Sequence, residues 1–166
     1  MLIIFGGLPG VGKTVIAAEL ARRIGAVHLR IDSIEQPLRA FVGIGQPLRD
    51  VGYRVGYAVA EDNLRIGRTV IADSVNPLRV TRDAWADVAR RVQVRAIEIE
   101  VKCSDPTEHR RRIEMRFTDI AGLELPTWEE VVNREYHPWD REHVVIDTAE
   151  QTVEQNVSAI WSLLAL

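Results

Sequence analysis

Four residues near the start of the chain, Gly7, Gly12, Lys13 and Thr14, follow the spacing G-x-x-x-x-G-K-T. Glycines at these positions let a turn direct successive backbone N–H groups inward, and a helix beginning near Lys13 adds its positive end. In such a cradle Lys13 would reach the β- and γ-phosphates of a nucleotide, and the Thr14 hydroxyl would ligate Mg²⁺. The alternative is a glycine-rich turn that matches by chance. The residues predicted to bind nucleotide here are Gly7, Gly10, Val11, Gly12, Lys13, Thr14 and Val15.

Two aspartates follow apolar runs that have the length of strands. Asp32 comes directly after residues 26–31, and Asp73 ends the run TVIAD. A carboxylate at Asp32 can accept the proton of a hydroxyl that attacks phosphorus, although Asp is also a favoured helix N-cap. Asp73 has the form of a Walker B carboxylate that holds Mg²⁺, with an ordinary strand-end turn as the alternative. Which of the two carboxylates acts as the base stays open.

Arginines crowd a later segment of the chain, RRRIEMR. Arg112 and Arg116 are four residues apart and would share one face of a helix. Such a pair, followed by an irregular stretch, is typical of a lid (residues 107–126) that offsets the charge developing on a transferred phosphate. A solvated helix surface is the alternative, and it is the one expected for Arg110 and Arg111. The residues predicted to act in catalysis are Lys13, Asp32, Arg112 and Arg116.

These residues require strands and helices that bring them together. Short apolar runs predict strands at residues 2–5, 26–31, 69–73, 96–101 and 143–146. Helical spacing of apolar residues predicts helices at 14–24, 51–66, 77–92, 107–116, 127–136 and 153–164, with residues 33–47 helical or irregular. Strands separated by helices indicate an α/β fold with a parallel sheet, in which ligands bind at the carboxyl ends of the strands.

Composition restricts the classes of protein that the chain can represent. Its length of 166 residues fits one domain spanning 1–166. Its net charge of −3 argues against a nucleic-acid partner held by a basic face. The single cysteine, Cys103, favours a reducing compartment, and no signal or membrane-spanning segment is evident. A cytoplasmic location without membrane association is expected. The N-K-x-D signature of GTPases is absent from the sequence, so ATP is the expected nucleotide.

The segments GGLPGVGKT, TVIADSVNP, RRRIEMR and VVIDTA, together with the strand that ends at Asp32, resemble the small P-loop kinases of the AAA_33 type. These are similar to zeta toxins and chloramphenicol phosphotransferases, and akin to gluconate and polynucleotide kinases. The resemblance covers nearly the whole chain. It implies a three-layer α/β/α P-loop fold with a five-stranded parallel sheet of order 2-3-1-4-5, a kinase-like lid, and phosphoryl transfer from ATP to a hydroxyl.

The resemblance also implies roles for single residues. Asp32 matches the carboxylate that orients or deprotonates the acceptor hydroxyl. Polynucleotide kinases place an arginine three residues later, where this chain has Glu35, which argues against a nucleic-acid acceptor. Thr148 lies where such kinases pass the adenine, and Arg112 is expected to contact the nucleotide from the lid.

The expected function is therefore that of an ATP- and Mg²⁺-dependent kinase whose acceptor is a hydroxyl of a small molecule, such as a metabolite, an amino acid or an antibiotic. The region 33–67, the longest segment between adjacent strands at the ligand edge, is expected to bind this acceptor. Two alternatives remain, a nucleotide or polynucleotide end kinase and a non-catalytic ATP-binding or toxin-like module.

Overall fold

The computed structural model describes residues 1–42 and 50–164, and within them five parallel strands form one sheet with helices on both faces. The strands are β1 (Leu2–Gly6), β2 (Val27–Arg30), β3 (Val70–Asp73), β4 (Ala96–Lys102) and β5 (Val144–Asp147). The helices are α1 (Lys13–Ile24), α2 (Ile31–Val42), α3 (Val51–Arg65), α4 (Arg79–Val92), α5 (Pro106–Met115), α6 (Trp128–Val132) and α7 (Val153–Leu164). The strand order is β2-β3-β1-β4-β5, so the expected order 2-3-1-4-5 is confirmed.

The central strand β1 is apolar on both faces because both faces are covered. Ile3 and Phe5 belong to a core with residues of α1 and α7, whereas Leu2 and Ile4 belong to a second core with residues of α3 and α4. All four side chains are fully buried. Successive strand residues point to opposite faces, so a continuous apolar run is what a strand between two helical layers requires.

The pairing of the strands brings their carboxyl ends to one edge of the sheet. Phe5 of β1 and Arg30 of β2 both lie opposite Asp73 of β3, and Gly6 lies opposite Glu100 of β4. The loop after β1, the residues after β2 and the carboxylate that ends β3 therefore share this edge, which is where parallel α/β sheets bind ligands.

Two boundaries differ from the sequence-based predictions. The helix predicted over residues 127–136 ends at Val132, and the hydroxyl of Tyr136 instead donates to Glu100 of β4 at 3.3 Å. The helix after β2 begins at Ile31, directly after the strand, and contains Pro37. Part of the predicted acceptor region, including Pro47 and Arg49, lies outside the described residues.

Within residues 1–42 and 50–164, no helix combines the length and the apolar character that a bilayer crossing requires.

Candidate active site

The loop between β1 and α1 has the backbone of a phosphate cradle. Gly7 has φ 134°, and a Cβ atom at this position would lie 2.2 Å from the carbonyl oxygen of Val101, so only glycine fits. Gly12 is the N-cap of α1, and Lys13 is the first residue of that helix. The unpaired N–H groups of the first helical turn therefore face the same loop, which is the arrangement that binds anions.

Lys13 is a buried cation at the centre of this loop. Its side chain is 7% exposed, and Nζ donates one hydrogen bond, to the carbonyl oxygen of Leu8 at 2.9 Å. Burial lowers the pKa of Lys13 to about 8, while the charges of Asp73 and Asp32 act in the opposite direction. Both carboxylates are thus close enough to act on the ammonium group. An ammonium has three donors, so Lys13 can also bind a phosphate.

The candidate magnesium ligands Thr14 and Asp73 lie at the same edge. Asp73 is 3% exposed; its Oδ2 lies 3.1 Å from Nε2 of His28, and its other carboxylate oxygen has no hydrogen bond among the described residues. Thr14 and His28 line a cleft of about 370 Å³ between α1, β2 and α2. Carboxylate and hydroxyl oxygens are the donors that Mg²⁺ prefers, so these residues fit the ion.

Asp32 and Arg116 belong to different segments, the start of α2 and the end of α5. Asp32 is the second residue of α2, so the N-cap position precedes it, and its side chain is half-buried. Burial lowers the pKa of Arg116, and the charge of Asp32 opposes this shift. Arg116 makes no hydrogen bond or ion pair with any residue that the structure describes. The two side chains predicted to act on the acceptor and on the phosphate are therefore neighbours.

Arg112 and Arg116 have separate surroundings, although their spacing predicted that they would act as a pair from one helix face. Helix α5 ends at Met115, and Arg116 has an extended backbone with φ −73° and ψ 146°. Arg112 points instead towards β5, where its Nη1 and Nη2 donate to Oγ1 and the carbonyl oxygen of Thr148 at 2.8 and 2.9 Å. Its Nε donates to Glu108 at 2.7 Å. Arg112 therefore lies beside the predicted adenine site.

Helix α5 is docked firmly on the phosphate loop. The ring of His109 is buried, with Nε2 at 2.8 Å from the carbonyl oxygen of Pro9. Ile113 packs over Gly10, where an added Cβ would approach its side chain to 2.4 Å. The helical part of the predicted lid (107–126), which belongs to α5, therefore supports the phosphate loop.

One polar side chain of the predicted acceptor region, that of Tyr53, lies at the site. Tyr53 accepts a hydrogen bond from the backbone N–H of Asn76 at 3.2 Å. Burial raises the pKa of Tyr53 to about 12, and the charges of Glu35 and Asp32 add to this shift. Glu61, which belongs to the same predicted region, instead pairs with Arg65 and Arg91 towards the opposite edge of the sheet.

Sequence reasoning did not find two residues of this site, His28 and Arg134. His28 is a strand residue without a motif, and only the pairing of β2 with β3 brings it to Asp73. Arg134 lies after α6 and lowers the pKa of Lys13 through its charge, which is secondary to the effect of burial. No local spacing could have indicated either contact, because both partners are more than 40 residues distant in the chain.

The phosphate loop, the parallel sheet of order 2-3-1-4-5 and the clustered carboxylates define a P-loop kinase fold. The chain belongs to the AAA_33 family, whose model, described as an AAA domain, matches residues 2–159. The resemblance found in the sequence is therefore confirmed, and this family groups the chain with small P-loop kinases.

Individual relatives are kinases of the same size class. The chain is 28% identical to a probable adenylyl-sulfate kinase of Aeropyrum pernix over 165 residues, which cover 95% of this chain and 88% of that protein. It is also 28% identical to an adenylyl-sulfate kinase of a Synechococcus species over 172 residues, covering 96% and 91%.

A solved structure of APS kinase from Mycobacterium tuberculosis, in complex with AMPPNP and APS, aligns with a TM-score of 0.75 at 18% identity, covering 99% of this chain and 97% of that one. A gluconokinase from Sinorhizobium meliloti aligns with a TM-score of 0.68 at 18% identity, covering 98% and 90%. At these identities the structural likeness establishes the fold alone.

Proposed function

We propose that the chain is an ATP-dependent kinase that transfers the γ-phosphoryl group to a hydroxyl of a small molecule. The observation that carries this proposal is the placement of three residues at one edge of the sheet: Lys13 is buried in the loop after β1, Asp73 ends the neighbouring strand β3, and Asp32 follows β2. A cation for phosphate, a carboxylate for metal and a second carboxylate for the acceptor are the parts that phosphoryl transfer requires.

In the proposed reaction the N–H groups of the loop and Lys13 bind the β- and γ-phosphates. Held by Thr14 and Asp73, Mg²⁺ would supply positive charge at these phosphates. Asp32 accepts the proton of the acceptor hydroxyl. The oxygen of that hydroxyl forms a bond to the γ-phosphorus while the bond from this phosphorus to ADP breaks. Arg116 stabilises the charge on the transferred group.

The acceptor is proposed only as a class, a hydroxyl-bearing small molecule bound between α2 and α3 near Tyr53. Two relatives are named adenylyl-sulfate kinases, so adenylyl sulfate is the first compound to test. A panel with radiolabelled ATP should add sugars, amino acids, nucleotides and short oligonucleotides. Transfer to nucleotides or oligonucleotides would favour an end kinase, and ATP binding without transfer to any compound would favour a non-catalytic module.

The role of Asp32 is tested by Asp32→Asn, which keeps the shape of the side chain and removes the basic carboxylate. We expect ATP affinity near that of the wild type and turnover reduced by about 10²-fold or more. Glu142→Gln, at an exposed carboxylate outside the predicted acceptor region, is the control and should retain full turnover. Unchanged turnover in Asp32→Asn would contradict its assignment as the base.

A further inference from the structure

Almost every arginine that the structure describes has a hydrogen-bond or ion-pair partner, and the exceptions are informative. Among residues 1–42 and 50–164, the arginine side chains without a hydrogen bond or ion pair are those of Arg68, Arg116 and Arg134. Arg116 and Arg134 both act on the charge of Lys13. Two unpaired guanidinium groups near a buried ammonium make a site suited to binding an anion.

Arg134 belongs to a segment of residues 128–139. The first end of this segment contacts helix α5, which packs on the phosphate loop. The ring of Trp128 in α6 lies edge-on against His109, with 5.2 Å between the ring centroids. His109 in turn is bonded to the carbonyl oxygen of Pro9. This end of the segment is therefore held on the side of the loop that α5 covers.

Its second end is fixed on the other side of the loop, at Gly6. Trp139 lies over Gly6 so closely that an added Cβ there would come within 2.7 Å of its ring. The indole N–H donates to the hydroxyl of Tyr136 at 2.9 Å, and this hydroxyl donates to Glu100. The guanidinium of the fully buried Arg82 lies 4.7 Å above the Trp139 ring.

Arg134 lies on the chain between these two anchors, so the segment carries it across the phosphate loop. Neither acidic residue near it in the chain pairs with it: Glu135, the next residue, lies 3.0 Å from the ring of His137, and Glu130, one helical turn earlier, is engaged by Thr127 in a capping box. Its guanidinium is exposed rather than packed. An exposed, unpaired guanidinium held over an anion cradle has the geometry of a phosphate ligand.

We propose that Arg134 binds the γ-phosphoryl group of the nucleotide, from a different chain segment than Arg116, and that Tyr136 and Trp139 position it. The inference rests on the proposed function, because it needs a nucleoside triphosphate in the loop. Arg116 follows α5 and Arg134 follows α6, so the phosphoryl group is held between two arginines that reach it independently. Tyr136 and Trp139 are positioning residues and touch no substrate.

The test compares the binding of MgATP and MgADP by calorimetry, which needs no acceptor. We expect Arg134→Ala to leave MgADP affinity near that of the wild type and to weaken MgATP binding by about tenfold or more, the loss of one charge-assisted hydrogen-bonded group. Arg134→Lys should recover part of the difference, because the charge remains but the planar fork is lost. Arg68→Ala, the remaining unpaired arginine, is the matched control and should bind both nucleotides as the wild type does.

Turnover adds a second measurement once an acceptor is known. We expect Arg134→Ala to lower kcat by about 10²-fold. Tyr136→Phe should lower kcat less, and the double variant should be no slower than Arg134→Ala alone, because both changes act through one guanidinium.

An ATP-to-ADP affinity ratio in Arg134→Ala equal to that of Arg68→Ala would overturn the inference while leaving the proposed function intact. A wild-type chain that binds neither nucleotide would instead overturn the proposed function, and this inference with it.

Discussion

The hydroxyl of Thr148 joins three parts of the candidate site, and its removal gives a sharp test of the structure. Thr148 is 4% exposed. Its Oγ1 lies 2.9 Å from the carbonyl oxygen of Val11 in the phosphate loop and 3.1 Å from that of Lys102 in β4, and it accepts a hydrogen bond from Arg112 at 2.8 Å. Thr148→Val keeps the volume of the side chain and removes every one of these contacts.

The expected cost follows from the contacts. The hydrogen bond from the charged Arg112 contributes about 1.5–3 kcal/mol and a neutral one to a carbonyl about 1 kcal/mol, so Thr148→Val should lower the free energy of unfolding by about 3 kcal/mol. Thr148→Ser keeps the hydroxyl and loses one buried methyl group, which costs about 1 kcal/mol. The valine variant should therefore be the less stable of the two, although it is the more apolar.

Urea denaturation measures both free energies, and calorimetry with MgADP measures the effect on the loop. We expect Thr148→Val to weaken MgADP binding as well, because the loop carbonyl of Val11 and the guanidinium of Arg112 lose their common partner. Thr107→Val, at an exposed threonine of α5, controls for the change in side-chain type. A Thr148→Val protein as stable as Thr148→Ser would refute the reasoning, since packing and not hydrogen bonding would then dominate.

Three other variants test the support of the site. Gly10→Ala should destabilise the chain by about 2 kcal/mol or more in urea denaturation, because Gly10 has φ 82° and Ile113 occupies the space of the new methyl group; equal stability would mean that α5 is not docked as described. Burial raises the pKa of Glu98, so the native carboxyl keeps its proton to higher pH than the unfolded one, and stability should fall as pH rises through the native pKa; Glu98→Gln should remove this contribution in unfolding curves taken from the ordinary carboxyl pKa of 4.5 upward. Asp119→Ala removes an ion pair of 2.7 Å with Arg30 that is exposed on the aspartate side, and should change the free energy of unfolding by less than about 1 kcal/mol; a larger loss would mean that this pair holds the segment 117–126 in place.

The sequence by itself determined the elements and the phosphate loop. Apolar runs predicted all five strands to within about two residues. The signal is clearest for β1 and β3, which are buried along their whole length and are therefore apolar on both faces. The G-x-x-x-x-G-K-T spacing is also local, and the loop has the positive φ at Gly7 and Gly12 that this spacing requires. Family membership confirms the fold that the resemblance implied.

The tertiary structure decided which side chains meet at the loop. The four-residue spacing of Arg112 and Arg116 predicted a shared helix face, yet Arg112 is bound by Thr148, 36 residues later in the chain, and Arg116 lies past the helix end near Asp32. The helix predicted at 127–136 stops early because Tyr136 is held by Glu100 on the sheet. In the proposed role of Arg134, that contact and the contact of Trp139 with Gly6 hold its segment near the loop. Sequence periodicity and spacing depend on residues that are close in the chain, so they located the phosphate loop. A hydrogen bond between distant segments depends on the packing of the whole chain, so only the tertiary structure determined which side chains lie near that loop.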